Sequence, residues 1–163
     1  MNILIFSDTH GDTEKMYDIV SKNRLKTDLV IHLGDYLKDA GEVMRNFSTI
    51  AFLGVLGNCD FASMYADAKH EAFFTAEKVR IFYTHGHKYN VNYGNEYLAS
   101  NAKFNGCKIA LYGHTHVALN EEINGVTVIN PGSISSPRDG SCGTYAYLTV
   151  DGENFKCEIL EVE

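Results

Sequence analysis

The chain has 163 residues, 45% of them apolar, and its 14 basic and 21 acidic residues give a formal net charge of −7. That length and apolar fraction bury a core and exclude global disorder, no apolar run approaches the ~18 residues of a membrane span, and the absence of a Lys/Arg run excludes bulk nucleic-acid binding through phosphate contacts. Cys59, Cys107, Cys142 and Cys157 form no C-x-x-C pair, and residues 1–6 open on a strand-like run without a basic leader; the expectation is one domain over 1–163 in a reducing cytoplasm.

Ile3–Phe6 reads as a buried strand that ends at Asp8-Thr9-His10. Asp12 or Thr13 caps a helix running to about Arg24, with Met16, Ile19 and Val20 inward. Leu29–Leu33 is a second strand, ending at Gly34-Asp35, and the i, i+3, i+4, i+7 set Ala40, Val43, Met44 and Phe47 predicts a short helix near Asp39–Phe47. Ile50–Leu56, interrupted by Gly54, holds a third strand before Gly57-Asn58-Cys59-Asp60. Residues 61–77 are ambiguous, with a helical turn and an edge strand as the expectation. Val79–Tyr83 leads to His85-Gly86-His87, Tyr93–Phe104 reads as a helix stopped by Gly106, and Ile109–Tyr112 leads to Gly113-His114-Thr115-His116. Beyond His116 the pattern is all strand: Val117–Ile123, Val126–Ile129, Thr144–Val150 and Phe155–Val162, with hairpin turns at Asn124-Gly125 and Asp151-Gly152. An alternating β-α half followed by a mostly antiparallel half predicts two packed sheets covered from outside by helices.

Five polar clusters thus follow apolar runs, and ligands of open α/β sheets bind beyond the carboxyl ends of the strands. Asp8 and His10 are two apart, so in extended backbone they point the same way. The Asp35 carboxylate has two oxygens and can bridge two cations, and the Asn58 amide oxygen is a hard neutral ligand. Four of the seven histidines stand in two His-x-His tripeptides. Each short motif alone is ordinary turn chemistry; the ordered set is divalent-metal chemistry. His32, inside a strand, reads as a hydrogen-bonded core histidine and His70 as a surface one.

In the order D-x-H, G-D, G-N-x-D, H-G-H, G-H-x-H, over about residues 3–150 and including Asn130-Pro131-Gly132-Ser133 and Pro137-Arg138, the chain resembles the calcineurin-like metallophosphoesterase superfamily. Its short, insertion-free form resembles the small bacterial and archaeal phosphodiesterase group. The resemblance implies an α/β fold, a four-layer α/β/β/α sandwich of two mixed sheets. It implies a dinuclear site with Asp8, His10, Asp35 and His116 on one divalent cation and Asp35, Asn58, His85 and His114 on the other. Asp35 would be the bridge, and Asp35 and Asn58 the catalytic pair. Mn²⁺ suits these hard oxygens and imidazoles, Ni²⁺, Fe and Zn²⁺ are accommodated too, and the lack of a thiolate ligand disfavours a structural zinc site.

The implied reaction is hydrolysis of phosphate esters, phosphodiesters first, by a hydroxide generated between the two cations. The alternatives are a phosphomonoesterase and a non-enzymatic protein-binding scaffold resembling the retromer subunit of this fold. A small phosphodiester or phosphate ester is the expected partner, without membrane or nucleic acid, and homo-oligomerisation is left open. The chain departs from many relatives at Cys59, where they carry a histidine thought to assist the leaving group; Asp60 then lacks that imidazole. Cys59 reads as a small residue beside the site rather than a nucleophile. His87 stays open between a phosphate contact and support for His85, and Arg138 between bidentate phosphate binding and a solvated loop position.

Overall fold

The computed structural model describes residues 1–61, 67 and 69–162. Among them are ten strands and three α-helices. The first sheet comprises β1 (Asn2–Phe6), β2 (Leu29–His32), β3 (Ala51–Gly54), β9 (Thr144–Asp151) and β10 (Asn154–Glu161), in the order β10-β9-β1-β2-β3. The second comprises β4 (Glu71–Ala76), β5 (Val79–Thr84), β6 (Ile109–Leu111), β7 (Leu119–Ile123) and β8 (Val126–Asn130), in the order β4-β5-β6-β8-β7. Both sheets are mixed. β1, β2 and β3 run parallel, as do β5, β6 and β8, and the flanking strands are antiparallel.

The period-2 alternation of the strands decides the layers. Ile3, Ile5, Ile31, Ile81, Ile109, Leu111 and Leu148 face inward and pack sheet on sheet. Their neighbours Leu4, Phe6 and Val30 face outward against α1 (Thr13–Asn23) and α2 (Leu37–Met44). On the far side Phe82, Ala110 and Val128 pack against Leu98, Ala99 and Ala102 of α3 (Glu96–Phe104). The result is the four-layer α/β/β/α sandwich that the resemblance implied. No helix among the described residues is long and apolar enough to cross a membrane.

β9 and β10 return to the first sheet, β9 antiparallel to β1 and β10 antiparallel to β9. Some expectations are corrected. The second helix starts two residues earlier than its apolar pattern suggested, at Leu37, from a left-handed Tyr36. In the last hairpin Asp151 still pairs with Asn154, so the turn is Gly152-Glu153, with only Gly152 left-handed. Asn124-Gly125 is a two-residue turn with both residues left-handed, as its sequence predicts. The edge strand expected within 61–77 is β4; the helical turn expected there falls largely on residues outside those described.

Candidate metal centre

All six parallel strands end at one side of the sandwich. Asp8 follows β1, Asp35 follows β2, Asn58 follows β3, His85 follows β5, His114 and His116 follow β6, and Asn130 ends β8. The backbone that carries the side chains is not extended. Asp8, His10, Asp35, His114 and His116 all have φ between +45° and +69°. Side-chain alternation is therefore not what brings Asp8 to His10 or separates His114 from His116; left-handed turns immediately beyond the strands do. Such φ values are uncommon for residues other than glycine and cluster where surrounding structure enforces them at functional sites. Glycines make room: a Cβ on Gly57 would run into the backbone and carboxylate of Asp35, and one on Gly113 into Ser7 and Asp8.

Two groups of donors result, each with its ligand atoms within 4.8 Å of one another: Asp8, His10 and His116, and Asp8, Asp35 and His85. Asp8 is common to both and fully buried. Its Oδ2 accepts from the Ser7 hydroxyl and the His114 amide. Its Oδ1 is buried without a hydrogen-bond donor, although His116 Nε2 lies 3.1 Å and His10 Nε2 4.0 Å away. His116 Nδ1 is 2.7 Å from the Ser136 carbonyl, which fixes its proton there. In the neutral ring a lone pair on Nε2 then faces the carboxylate, and the Nε2 atoms of His10 and His116 face each other at 3.3 Å.

The second group repeats the arrangement. His85 Nδ1 lies 2.8 Å from the Leu33 carbonyl, leaving Nε2 aimed at Asn58 Oδ1 at 3.1 Å and Asp35 Oδ1 at 3.5 Å. Lone pairs converging on buried oxygens are reconciled by a proton or by a cation between them. The Asp8 carboxylate beside it raises the pKa of His116, which is the proton's version of the answer. Backbone carbonyls that fix one ring nitrogen and leave the other free are how imidazoles are set up as metal ligands. The donors fit divalent cations.

The remaining predicted residues separate by role. Asn58 joins the second group through His85. His114 is in neither group; its ring centroid lies 5.1 Å from that of His85, and its Nε2 is 3.1 Å from the Asn92 amide group. The Cys59 amide donates to Asp35 Oδ1 at 2.8 Å, and its thiol is pushed up to about 11 by burial, then by the Asp35 hydrogen bond and charge. Asp60 touches no imidazole: its two oxygens accept from the Leu37 and Gly57 amides, tying the start of α2 to the Asn58 turn. The His87 ring lies tilted or edge-on to those of His85, His114 and His70, and burial first, then the neighbouring imidazoles, lower it to about 4. Arg138 is exposed, its backbone amide on the His116 carbonyl. His32 is a buried core histidine, 3.3 Å from the Thr9 hydroxyl. His70 is half-buried against His87 rather than a surface group, a correction.

Supporting residues escaped the sequence. Asp39, buried in α2, accepts from the Thr9 hydroxyl and the Gly11 amide and so holds the Asp8–Gly11 turn. Asn130 binds the Gly113 carbonyl and the Thr115 hydroxyl. Asn130 stood in the sequence within Asn130-Pro131-Gly132-Ser133 without a role; nothing in the sequence marks Asp39 or Asn92.

The description "Calcineurin-like phosphoesterase superfamily domain" matches residues 1–153. The chain belongs to the calcineurin-like phosphoesterase superfamily. Within this superfamily it is 35% identical to the probable metallophosphoesterase YsnB of Bacillus subtilis, over 94% of this chain and 86% of the relative. It is 30% identical to the phosphodiesterase YfcE of Escherichia coli, over 93% and 89%. A solved structure of a predicted phosphoesterase from Streptococcus pneumoniae aligns at TM-score 0.81 with 31% identity, covering 99% of this chain and 92% of that one. Vps29 of Entamoeba histolytica, in a structure complexed with Zn²⁺, aligns at TM-score 0.77 over the whole of both chains; at 17% identity the likeness is of fold alone. Calcineurin-like phosphoesterases of the small bacterial and archaeal group therefore share both its sequence pattern and its two-sheet architecture.

Proposed function

We propose that this protein hydrolyses phosphate esters, phosphodiesters in preference to monoesters, at a centre holding two divalent cations, with Mn²⁺ the best match to its donors. Asp8, His10, Asp35 and His116 would hold one cation and Asp35, Asn58, His85 and His114 the other. The observation that carries the reading is the pair of donor groups meeting at Asp8, whose buried Oδ1 lacks a donor while an imidazole lone pair is turned toward it. The name phosphodiesterase borne by YfcE supports the diester preference.

When bound, two such cations supply a hydroxide near neutral pH and offset charge building on phosphoryl oxygens. The chain's own groups do the rest. The carbonyls of Leu33 and Ser136 hold His85 and His116 in register. The Cys59 amide orients the Asp35 carboxylate. The Arg138 guanidinium is exposed beside the centre, available to a phosphate. The protonated Cys59 thiol gives a departing alkoxide little acid assistance.

Metal analysis of the purified protein, paired with hydrolysis of matched aryl mono- and diesters, tests the reading. Two cations per chain and faster diester turnover are expected. In Asp35→Asn both cation content and turnover fall together. Two bound cations and full activity in that variant would refute Asp35 as a shared ligand; cations without hydrolysis of either ester class would favour the scaffold alternative.

A further inference from the structure

The imidazoles of the two donor groups are not held alike. His85 and His116 rest Nδ1 on the backbone carbonyls of Leu33 and Ser136 and turn Nε2 to the centre. His10 also turns Nε2 to the centre, 3.3 Å from His116 Nε2 and 4.0 Å from Asp8 Oδ1. Its Nδ1, however, has no hydrogen-bond partner among the described residues. Besides His116, the ring that lies against it is Tyr36, with centroids 5.0 Å apart and planes tilted by 59°. Tyr36 follows Asp35 directly, and the two are left-handed, at φ 67° and φ 56°. Glycine or asparagine takes up that conformation readily, and a bulky aromatic does not. The Tyr36 carbonyl accepts from the Asp39 amide as α2 begins, and the Lys38 ammonium lies 5.6 Å from the ring centre. The backbone thus pins the phenol ring beside His10. Turn geometry alone gives no reason for an aromatic here; the neighbour of the ring does.

We propose that Tyr36 is a positioning residue for His10: its ring, packed against the imidazole, keeps Nε2 turned toward Asp8 and His116, the task that backbone carbonyls perform for the other two histidines. This rests on the reading of His10 as a metal ligand. The torsion that turns an imidazole about its Cβ–Cγ bond is broad, so a ring without an anchor spends part of its time with Nε2 turned away. Ordering it on cation binding then costs conformational entropy. A flat neighbour limits the rotation beforehand, and tilted aromatic pairs with centroids roughly 4.5–7 Å apart attract each other. The Tyr36 ring does this without occupying the outer nitrogen of His10, which is left to water.

The test uses the full-length protein as wild type, Tyr36→Phe, Tyr36→Asn, His10→Ala and the Tyr36→Asn/His10→Ala double variant. In metal-free wild type, NMR is expected to show nuclear Overhauser contacts between the rings of Tyr36 and His10. Asparagine tolerates the left-handed turn, so metal-free Tyr36→Asn should melt within about 3 °C of wild type. Calorimetric titration with Mn²⁺ should give two binding events in wild type and in Tyr36→Phe, which keeps the ring. In Tyr36→Asn one event should weaken about 10-fold. His10→Ala should weaken the same event, and the double variant should bind no more weakly than His10→Ala alone, because nothing is left to position. Unweakened binding in Tyr36→Asn, or equal weakening in Tyr36→Phe and Tyr36→Asn, overturns the proposal. So does a further loss of about 10-fold when Tyr36→Asn is added to His10→Ala, which would mean that Tyr36 acts through Asp35 instead. A larger fall in the metal-free melting temperature of Tyr36→Asn, with both events weakened, would assign Tyr36 to the fold rather than to His10. If His10→Ala keeps both events at full strength, His10 is not a ligand, and that reading fails together with the proposal; the other outcomes leave it standing.

Discussion

Burial decides the charge state of His32, which is pushed down to about 4 in the interior, while the carboxylates of Asp8, Asp60 and Asp39 pull weakly the other way. An unfolded histidine titrates near ~6.5. Above that pH the ring is neutral in both states and stability is complete. As pH falls from about 6.5 to about 4 the unfolded chain gains a proton the folded chain refuses, so stability declines across that window and then levels. At pH 5 the loss amounts to about 2 kcal/mol. Urea unfolding of chelator-treated protein at pH 7.5 and 5 measures it, and His32→Gln should lose about that much less between the two. Cys59 makes a second residue-scale expectation. Its amide is what the centre uses, through Asp35, so Cys59→Ser should retain activity within about threefold. With a weak acid at this place, kcat/KM should fall steeply as the leaving group becomes more basic, from nitrophenolate to alkyl alkoxide. Cys59→His should flatten that slope, gaining most on alkyl diesters. An inactive serine variant with both cations bound would show that the thiol reacts.

Asp60 shows how an element can depend on a loop. α2 starts from Tyr36 without a side-chain cap of its own, and the carboxylate of Asp60 takes the Leu37 amide while its other oxygen takes the Gly57 amide. Asp60→Ala leaves two donors unpaired and should lower stability by about 2 kcal/mol. Asp60→Asn, keeping one acceptor, should cost about half. Denaturant midpoints read both, and equal stability of all three proteins would remove Asp60 from this role. In the sequence Asp60 was legible as a member of the G-N-x-D motif, but not its task, which needs a helix start 23 residues away to be placed in space. The same division runs through the fold. Strand positions and helix faces were legible because burial imposes periods of 2 and 3.6 on Ile3–Phe6 or Met16–Val20. The five residues of the two donor groups, Asp8, His10, Asp35, His85 and His116, were legible as polar residues at strand ends. What was hidden was whatever depends on register between distant segments: the one-residue shift of the last turn, the left-handed φ values of Asp8 and His116, and the anchoring of Thr9 and Gly11 by Asp39.

At the scale of the molecule the centre lies across the seam of the sandwich. Asp8, His10, Asp35 and Asn58 come from the first sheet and His85, His114 and His116 from the second. Cations bound there would join two layers otherwise held by the apolar contacts of Ile5, Ile31, Ile81 and Leu111, and a ligand that binds only the folded state stabilises it by about 2.7 kcal/mol at a hundred times its Kd. Saturating Mn²⁺ should raise the melting temperature of chelator-treated protein by about 5–10 °C, and Asp8→Asn should abolish most of the rise; equal melting with and without cations would argue that the seam holds none. The pairing of β1 with β9 has a consequence in time. Asn2 lies beside Thr149 and Ile5 beside Ala146, and the nearer of the two serines that donate to the Asp8 carbonyl is Ser133. A ribosome delivers Asp8 and His10 long before the strand and serine that brace them, Ser133 being 125 residues after Asp8. Long-range closure of this kind is slow, so the nascent chain carries the candidate metal-holding side chains unassembled until the β9–β10 hairpin docks.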